Sequence, residues 1–227
     1  MNLSKRLEAV ASMVTKGNIV ADIGTDHGYI PIYLVKNGIC PAAFAMDIND
    51  GPLLRAKEHI LEEGLEEKIE LIKSDGMKGL KGHRADTAVV AGMGGELVCK
   101  ILEESPVLEE INELVLSPHS EVAKVRECVV KKGYCIIEEK MVLDYGKYYT
   151  VIKATKGESE SYSKFDYEFG KKMFETKDEV FYEYLQMLCN KYKGIIELLE
   201  KNEKGISKRS SEIREMLGDC EAALRKF

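Results

Sequence analysis

The chain has 227 residues, 33 Lys and Arg against 39 Asp and Glu, and a formal net charge of −6. With 44% hydrophobic and 32% charged residues it has an ordinary globular composition, which excludes the disordered and fibrous classes. No run approaches the roughly 18 apolar residues of a membrane span, and the opening Met1-Asn2-Leu3-Ser4-Lys5-Arg6-Leu7 lacks the apolar core of a secretory signal, so a cytoplasmic protein is expected.

Residues 1–152 alternate between short β-rich runs and helical patterns. Strands are expected at 19–23, 43–46, 69–72, 87–91, 114–116, 134–137 and 148–152, because these runs are apolar and bounded by Gly, Pro, Asp or Asn. Helical periodicity falls between them, at 3–14, 30–36, 51–63, 95–103 and 121–132. Such alternation requires crossover connections, hence an α/β fold with a mostly parallel seven-stranded sheet covered on both faces. Asp144-Tyr145-Gly146-Lys147 is a tight turn, so the last two strands are expected to pair as an antiparallel hairpin at one edge.

Composition shifts at Gly157-Glu158-Ser159-Glu160-Ser161, giving two expected domains, 1–157 and 158–227. Beyond Phe181 apolar residues recur at 185, 188, 192, 195 and 199, in alternating steps of four and three. Thr176-x-x-Glu179 has the form of a capping box, and Asn202-Glu203-Lys204-Gly205 of a turn. The expectation is an α-helical coiled-coil hairpin, with Tyr182, Tyr184 and Tyr192 packing it; a continuous helix is less favoured because Gly205 costs about 1 kcal/mol relative to Ala. Residues 153–227 carry 15 basic and 15 acidic side chains, so the excess negative charge lies entirely before them. A polyanionic partner therefore needs a local basic patch. The six cysteines include no CxxC pair and read as reduced core residues, neither a disulfide frame nor a metal site.

Four segments carry chemistry. Asp22-Ile23-Gly24-Thr25-Asp26-His27-Gly28 joins the first strand to a helix through two glycines, which lets backbone N–H groups approach a ligand. The spacing is not the G-x-G-x-x-G of dinucleotide sites, and acids at 22 and 26 repel a diphosphate while welcoming an ammonium or sulfonium. That favours S-adenosylmethionine over NAD. Asp47, followed by Ile48, ends the second strand, where a carboxylate can accept both ribose hydroxyls. Asp75-Gly76 closes the third strand, positioned to meet an adenine amino group and leave room for its ring. Ala91-Gly92-Met93-Gly94-Gly95 ends the fourth. All four fall at the carboxyl ends of strands, where open α/β sheets bind ligands.

On Leu3-Ser4-Lys5-Arg6-Leu7, Ala21-Asp22-Ile23-Gly24-Thr25-Asp26-His27, Asp50-Gly51-Pro52, Ser74-Asp75-Gly76 and Ala91-Gly92-Met93-Gly94-Gly95, the sequence resembles the bacterial tRNA adenine-N1 methyltransferases that modify position 22. The resemblance spans residues 3 to about 155. It implies a Rossmann-like class I methyltransferase domain followed by a coiled-coil domain, with S-adenosylmethionine as cofactor and tRNA as partner. Asp22, Gly24, Thr25, Asp26, Gly28, Asp47, Ile48, Asp75, Gly76, Ala91 and Gly92 become candidates for cofactor binding. Lys5, Arg6, Met93, Gly94, Ser117 and Pro118 become candidates on the substrate side. Two positions depart from the family: Ser117-Pro118-His119 stands where Gln-Pro-Asn is expected, and Asp47 where Glu is expected.

Adenine N1 has an in-plane lone pair and needs no general base before attacking a methyl sulfonium. Catalysis then reduces to positioning and to negative groups that stabilise the developing cation. Asp26 is the first candidate, either toward the base amino group or toward the cofactor ammonium, against the alternative of a helix cap. His27 and His119 are candidates for stacking on or hydrogen-bonding the substrate, or for ordering their loops. His59 reads as a surface residue and Cys99 as small core near the pocket. Lys78, Lys81, His83 and Arg84 form one basic cluster, with Lys5 and Arg6 a second; each is a phosphate site or a solvated face. A small-molecule methyltransferase and a non-catalytic scaffold remain the competing classes. Without an Asn/Asp-Pro-Pro-aromatic motif, chemistry at the exocyclic amine is disfavoured. A monomer, or a weak dimer through the helical tail, with no membrane and no metal, completes the expectation.

Overall fold

The computed structural model describes residues 3–202 and 208–227. The chain folds as two compact units, Met1–Ser161 and Tyr162–Phe227.

In the first unit the elements run α1 (Lys5–Met13), β1 (Val20–Ile23), α2 (Tyr29–Lys36), β2 (Ala43–Asp47), α3 (Asp50–Glu62), β3 (Ile69–Lys73), β4 (Thr87–Ala91), α4 (Gly95–Glu103), β5 (Glu113–Ser117), α5 (Val122–Lys131), β6 (Tyr134–Asp144) and β7 (Lys147–Lys156). Seven strands form one sheet in the order β3-β2-β1-β4-β5-β7-β6. The first five are parallel, and β7 runs antiparallel to both β5 and β6. Strand order reverses between β1 and β4, whose register pairs Asp22 with Val89 and Ile23 with Val90. Right-handed crossovers in opposite directions put α2 and α3 on one face and α4 on the other, leaving a crevice beyond the carboxyl ends of β1 and β4. α1 packs on α2 and on β5, β6 and β7. Val10, Met13, Ile32, Leu34, Val89, Val115 and Val151 are buried there in one cluster that anchors the crevice from below.

β6 and β5 both extend past their expected ends across buried acids that are individually satisfied. The strand expected at 134–137 stops short of charged Glu138-Glu139-Lys140, yet β6 continues through it past an irregularity between Ile136 and Glu138. Glu139 is buried and receives the Arg126 Nε at 2.6 Å. β5 likewise begins at Glu113, whose carboxylate accepts the Thr15 N–H at 3.0 Å and the Thr87 hydroxyl at 2.9 Å and pairs with Lys153 Nζ at 3.1 Å. A buried charge is tolerated only with such partners. The β6–β7 turn has two residues, Tyr145 and Gly146, at φ 47° and 75°, the left-handed pair that matches strand twist in a tight hairpin. β7 inserts between β5 and β6, so β6 forms the sheet edge.

The second unit is helical: α6 (Lys164–Phe169), α7 (Lys171–Glu175), α8 (Glu179–Asn202) and α9 (Lys208–Leu224). The expected capping box at Thr176 is not formed, because Thr176 ends α7 and its hydroxyl donates back to the Lys172 carbonyl. Asp178 starts α8 instead, accepting the Phe181 N–H at 2.8 Å, and a capping box opens α6 at Ser163 and Asp166. α8 and α9 pack antiparallel, as the Lys193–Glu221 and Glu200–Arg214 ion pairs require. Of the turn expected at 202–205, only Asn202, which ends α8, lies within the described residues. Tyr182 packs against Phe227 with the rings tilted at 5.3 Å, and Tyr184 and Tyr192 line a hollow between the helices, so these rings serve packing.

Candidate active site

The Gly24–Gly28 turn leaves β1 at the strand-order reversal. Gly24 N–H and Thr25 N–H both donate to the Met46 carbonyl, at 2.8 and 2.9 Å, which pins the turn to the end of β2. Gly24 has φ +76°, a conformation that favours glycine, and a Cβ there would lie 2.1 Å from the Met93 methyl and displace the end of that side chain. Gly92 has φ +88° and would direct a Cβ to 3.6 Å from Arg6 Nη1. The 92–95 and 117–120 loops are laced together: Gly92 N–H donates to the Ser117 carbonyl, and His119 N–H to the Met93 carbonyl at 2.8 Å.

These segments enclose a cavity of about 390 Å³. Of the residues expected from sequence, Arg6, Asp22, Gly24, Thr25, Asp26, His27, Ala91, Gly92 and His119 line it together. Asp22 is 4% exposed and forms no ion pair among the described residues. Burial, with the Asp47 charge adding, pushes its carboxyl up to about 7. Arg6 Nη1 is buried without a hydrogen-bond partner, and the guanidinium lies 5.4 Å from the Tyr149 ring centroid. His119 contacts the same ring at 5.4 Å. Burial and the nearby Arg6 and Lys147 charges lower the His119 pKa, so the imidazole is neutral at pH 7.

Asp26 adopts φ +48° with a side chain that is 61% exposed. It is not a helix cap: Gly28 takes the N-cap position of α2, with no side-chain capping bond. Its carboxylate is held by Arg55 Nη2 at 2.7 Å, with His27 Nε2 at 3.6 Å. One turn along α3, His59 Nδ1 donates to the His27 carbonyl at 2.9 Å. His59 is therefore not the surface residue expected from sequence. The rings of His27, Tyr29 and His59 form a mutual stack, with centroids 5.1–5.7 Å apart. Arg55 and His59 thus clamp the strained part of the turn from α3, and their spacing of four was the available signal. Nothing in the sequence singled out Tyr149.

Other expected residues lie outside the cavity lining. Gly28 is buried behind it, a Cβ there reaching Ala56 at 3.2 Å. Asp47 ends β2 half-buried and accepts the Asn49 N–H, while Ile48 is exposed. Asp75 and Gly76 line a separate hollow of about 30 Å³ with Lys78 and Ile101. Lys78 pairs with Asp75 at 2.6 Å and holds its carboxyl below the usual range. Ser117 and Pro118 are buried beneath the 117–120 loop, Ser117 Oγ without a partner. Lys5 and Gly94 are exposed, and Met93 packs on Gly24. Cys99 faces the Lys124 carbonyl, away from the lining. In the cluster around residue 80, three of the four basic residues face acids, Lys81 being the one without an ion pair among the described residues. Lys78 also meets Glu104, His83 meets Glu70 and Arg84 meets Asp86. The six cysteines are free thiols.

A sheet ordered 3-2-1-4-5-7-6 with an acidic glycine turn at its reversal defines a Rossmann-like methyltransferase domain, and residues 3–152 match the methyltransferase-domain family. The tRNA (adenine(22)-N(1))-methyltransferase of Bacillus subtilis (strain 168) is 38% identical over 162 residues, 71% of this chain and 68% of that protein. A Streptococcus pneumoniae protein solved with S-adenosyl-L-methionine superposes with a TM-score of 0.88 and 28% identity, covering 98% of this chain and 100% of the other. An M. capricolum protein solved with S-adenosyl-homocysteine gives 0.87 and 28%, over 99% and 98%. The chain belongs to the tRNA (adenine(22)-N(1))-methyltransferase family.

Proposed function

We propose that this protein methylates N1 of an adenine in tRNA, at position 22, using S-adenosylmethionine. The observation that carries the reading is the buried Asp22, without an ion-pair partner among the described residues, in the wall of a cavity at the β1–β4 switch point. The residues present fit the cofactor. Asp22 offers an ammonium partner, Gly24 and Gly92 keep side chains out of the crevice, and the Asp47 carboxylate at the end of β2 is accessible to ribose hydroxyls. Asp75 and Gly76 are proposed at the adenine end.

When bound, the cofactor supplies an electrophilic methyl group on sulfur. Adenine N1 attacks without losing a proton, so the chain's task is to orient and to stabilise positive charge on the base. Asp26, held at the cavity wall by Arg55, presents a carboxylate to the base amino group. His119, neutral at pH 7, adds no charge against the cationic product. His27 and Tyr29 offer a stacked aromatic face to the nucleobase. A tRNA substrate puts the reaction in the cytoplasm. Among the described residues no helix is long and apolar enough to cross a membrane.

The test is to incubate the protein with labelled S-adenosylmethionine and unmodified tRNA, then map the methylated nucleoside. Label in 1-methyladenosine at position 22 is expected; label elsewhere, or none, overturns the reading.

A further inference from the structure

The β6–β7 hairpin is longer than the strand it pairs with. β7 is joined to β5 only from Ile152 to Thr155, so residues 147–151 run on past the carboxyl end of β5 with β6 as their partner. That overhang stands at the mouth of the cavity. Tyr149 lies against Arg6 and His119, which both line the cavity, and the Asp144 carboxylate accepts the Arg6 N–H at 3.5 Å. Lys147 is exposed, and its charge bears on His119. At about 3.4 Å per residue, the turn reaches roughly 10 Å beyond Tyr149. Its tip departs from the local rule for such turns. Two central residues with positive φ favour Asn-Gly or Asp-Gly, yet Tyr145 takes the first position at φ +47°, with 92% of its surface exposed. A ring held in a disfavoured conformation, and covered by nothing in this unit, marks a functional position.

Adenine N1 lies on the Watson–Crick edge, so the base must leave its stack to enter a cavity, and its neighbours then expose their apolar faces. Resting on the tRNA reading above, we infer that Tyr145 stacks on a nucleobase next to the extruded adenine, with Lys147 on the adjoining phosphate. An exposed ring beside a cation is the combination by which proteins hold unstacked bases. Stacking also needs no basic field, which suits residues 1–152, where the excess negative charge lies. The hairpin is well placed for the task because its base is fixed to the cavity through Tyr149 and Asp144, so the tip keeps a set distance from the target.

Methylation kinetics on unmodified tRNA test this with two variants of the full chain. Tyr145→Asn installs a residue that the turn prefers, so it should melt no lower than wild type and bind S-adenosylhomocysteine as tightly. It should nevertheless raise the KM for tRNA by about 5- to 150-fold, the range of one base–aromatic stack. Tyr145→Phe, which restores the ring, should recover that KM to within about 3-fold of wild type. Wild-type KM and kcat in Tyr145→Asn would overturn the inference. Equal losses in both variants would also overturn it, because the ring would then contribute no binding. A well-folded wild type that methylates no tRNA would remove the tRNA reading itself, and the inference falls with it.

Discussion

Asp22 is the residue where folding and function oppose each other. Its carboxyl is buried and titrates near 7, against an ordinary 3.8. The native state therefore holds a proton that the unfolded chain gives up between those values. The stability associated with that proton is complete below about pH 4 and is lost as pH rises through 7. At about 1.4 kcal/mol per unit the loss is up to about 4 kcal/mol. Asp22→Asn should accordingly melt above the wild type at pH 8 and match it at pH 4, in thermal scans without ligand. The same variant should bind S-adenosylhomocysteine more weakly, and wild-type affinity should rise with pH through 7, because the ammonium needs an ionised partner. A variant that gains no stability at pH 8 would show that the carboxyl is already ionised at little cost.

At the scale of elements, α3 governs the catalytic turn from outside it. Arg55 and His59 lie four residues apart on one helical face and hold successive residues, Asp26 by its carboxylate and His27 by its carbonyl. Asp26 sits at φ +48°, a conformation that non-glycine residues adopt only when their surroundings enforce it. Misplacement of such a group by about 1 Å costs roughly 100-fold in rate. Asp26→Ala and Arg55→Ala should each lose about that much kcat, and the double variant little more, since the two act as a unit. His59→Phe keeps the ring stack but not the donor, and should lower kcat by about 10-fold with a nearly unchanged melting temperature. Additive losses in the double variant would separate Arg55 from Asp26.

For the whole molecule, the question is how an acidic protein holds tRNA. The excess negative charge lies in residues 1–152. The second unit contains a hollow of about 660 Å³, but Glu168, Glu212, Glu215 and Asp219 line it and repel a polyanion. Lys201, Lys208 and Arg209 are exposed near the facing ends of α8 and α9. Reversing all three to Glu should leave S-adenosylhomocysteine affinity unchanged and raise the KM for tRNA. The salt dependence of tRNA binding should flatten by about 0.7–0.9 log units per log unit of salt for every phosphate that is no longer neutralised. An unchanged KM and slope would make the helical tail a device for association or stability only.

What the sequence by itself determined follows from local chemistry. Strand runs bounded by glycine, a two-residue turn at Tyr145-Gly146 and acids following β-runs are written within a few residues, and each has one physical meaning. The parallel sheet, its antiparallel hairpin and the acidic glycine turn were therefore legible. Only the tertiary structure decided which charges meet. Glu139 belongs to a strand because Arg126, thirteen residues earlier, neutralises it. Near position 80, Lys78, His83 and Arg84 are spent on Asp75, Glu104, Glu70 and Asp86. His59 serves the active-site turn because α3 lies against it, and Arg6 reaches the cavity because α1 packs beside β7, which carries Tyr149. Pairings between residues distant in sequence have no periodicity to announce them; they appear when burial makes an unpaired charge costly.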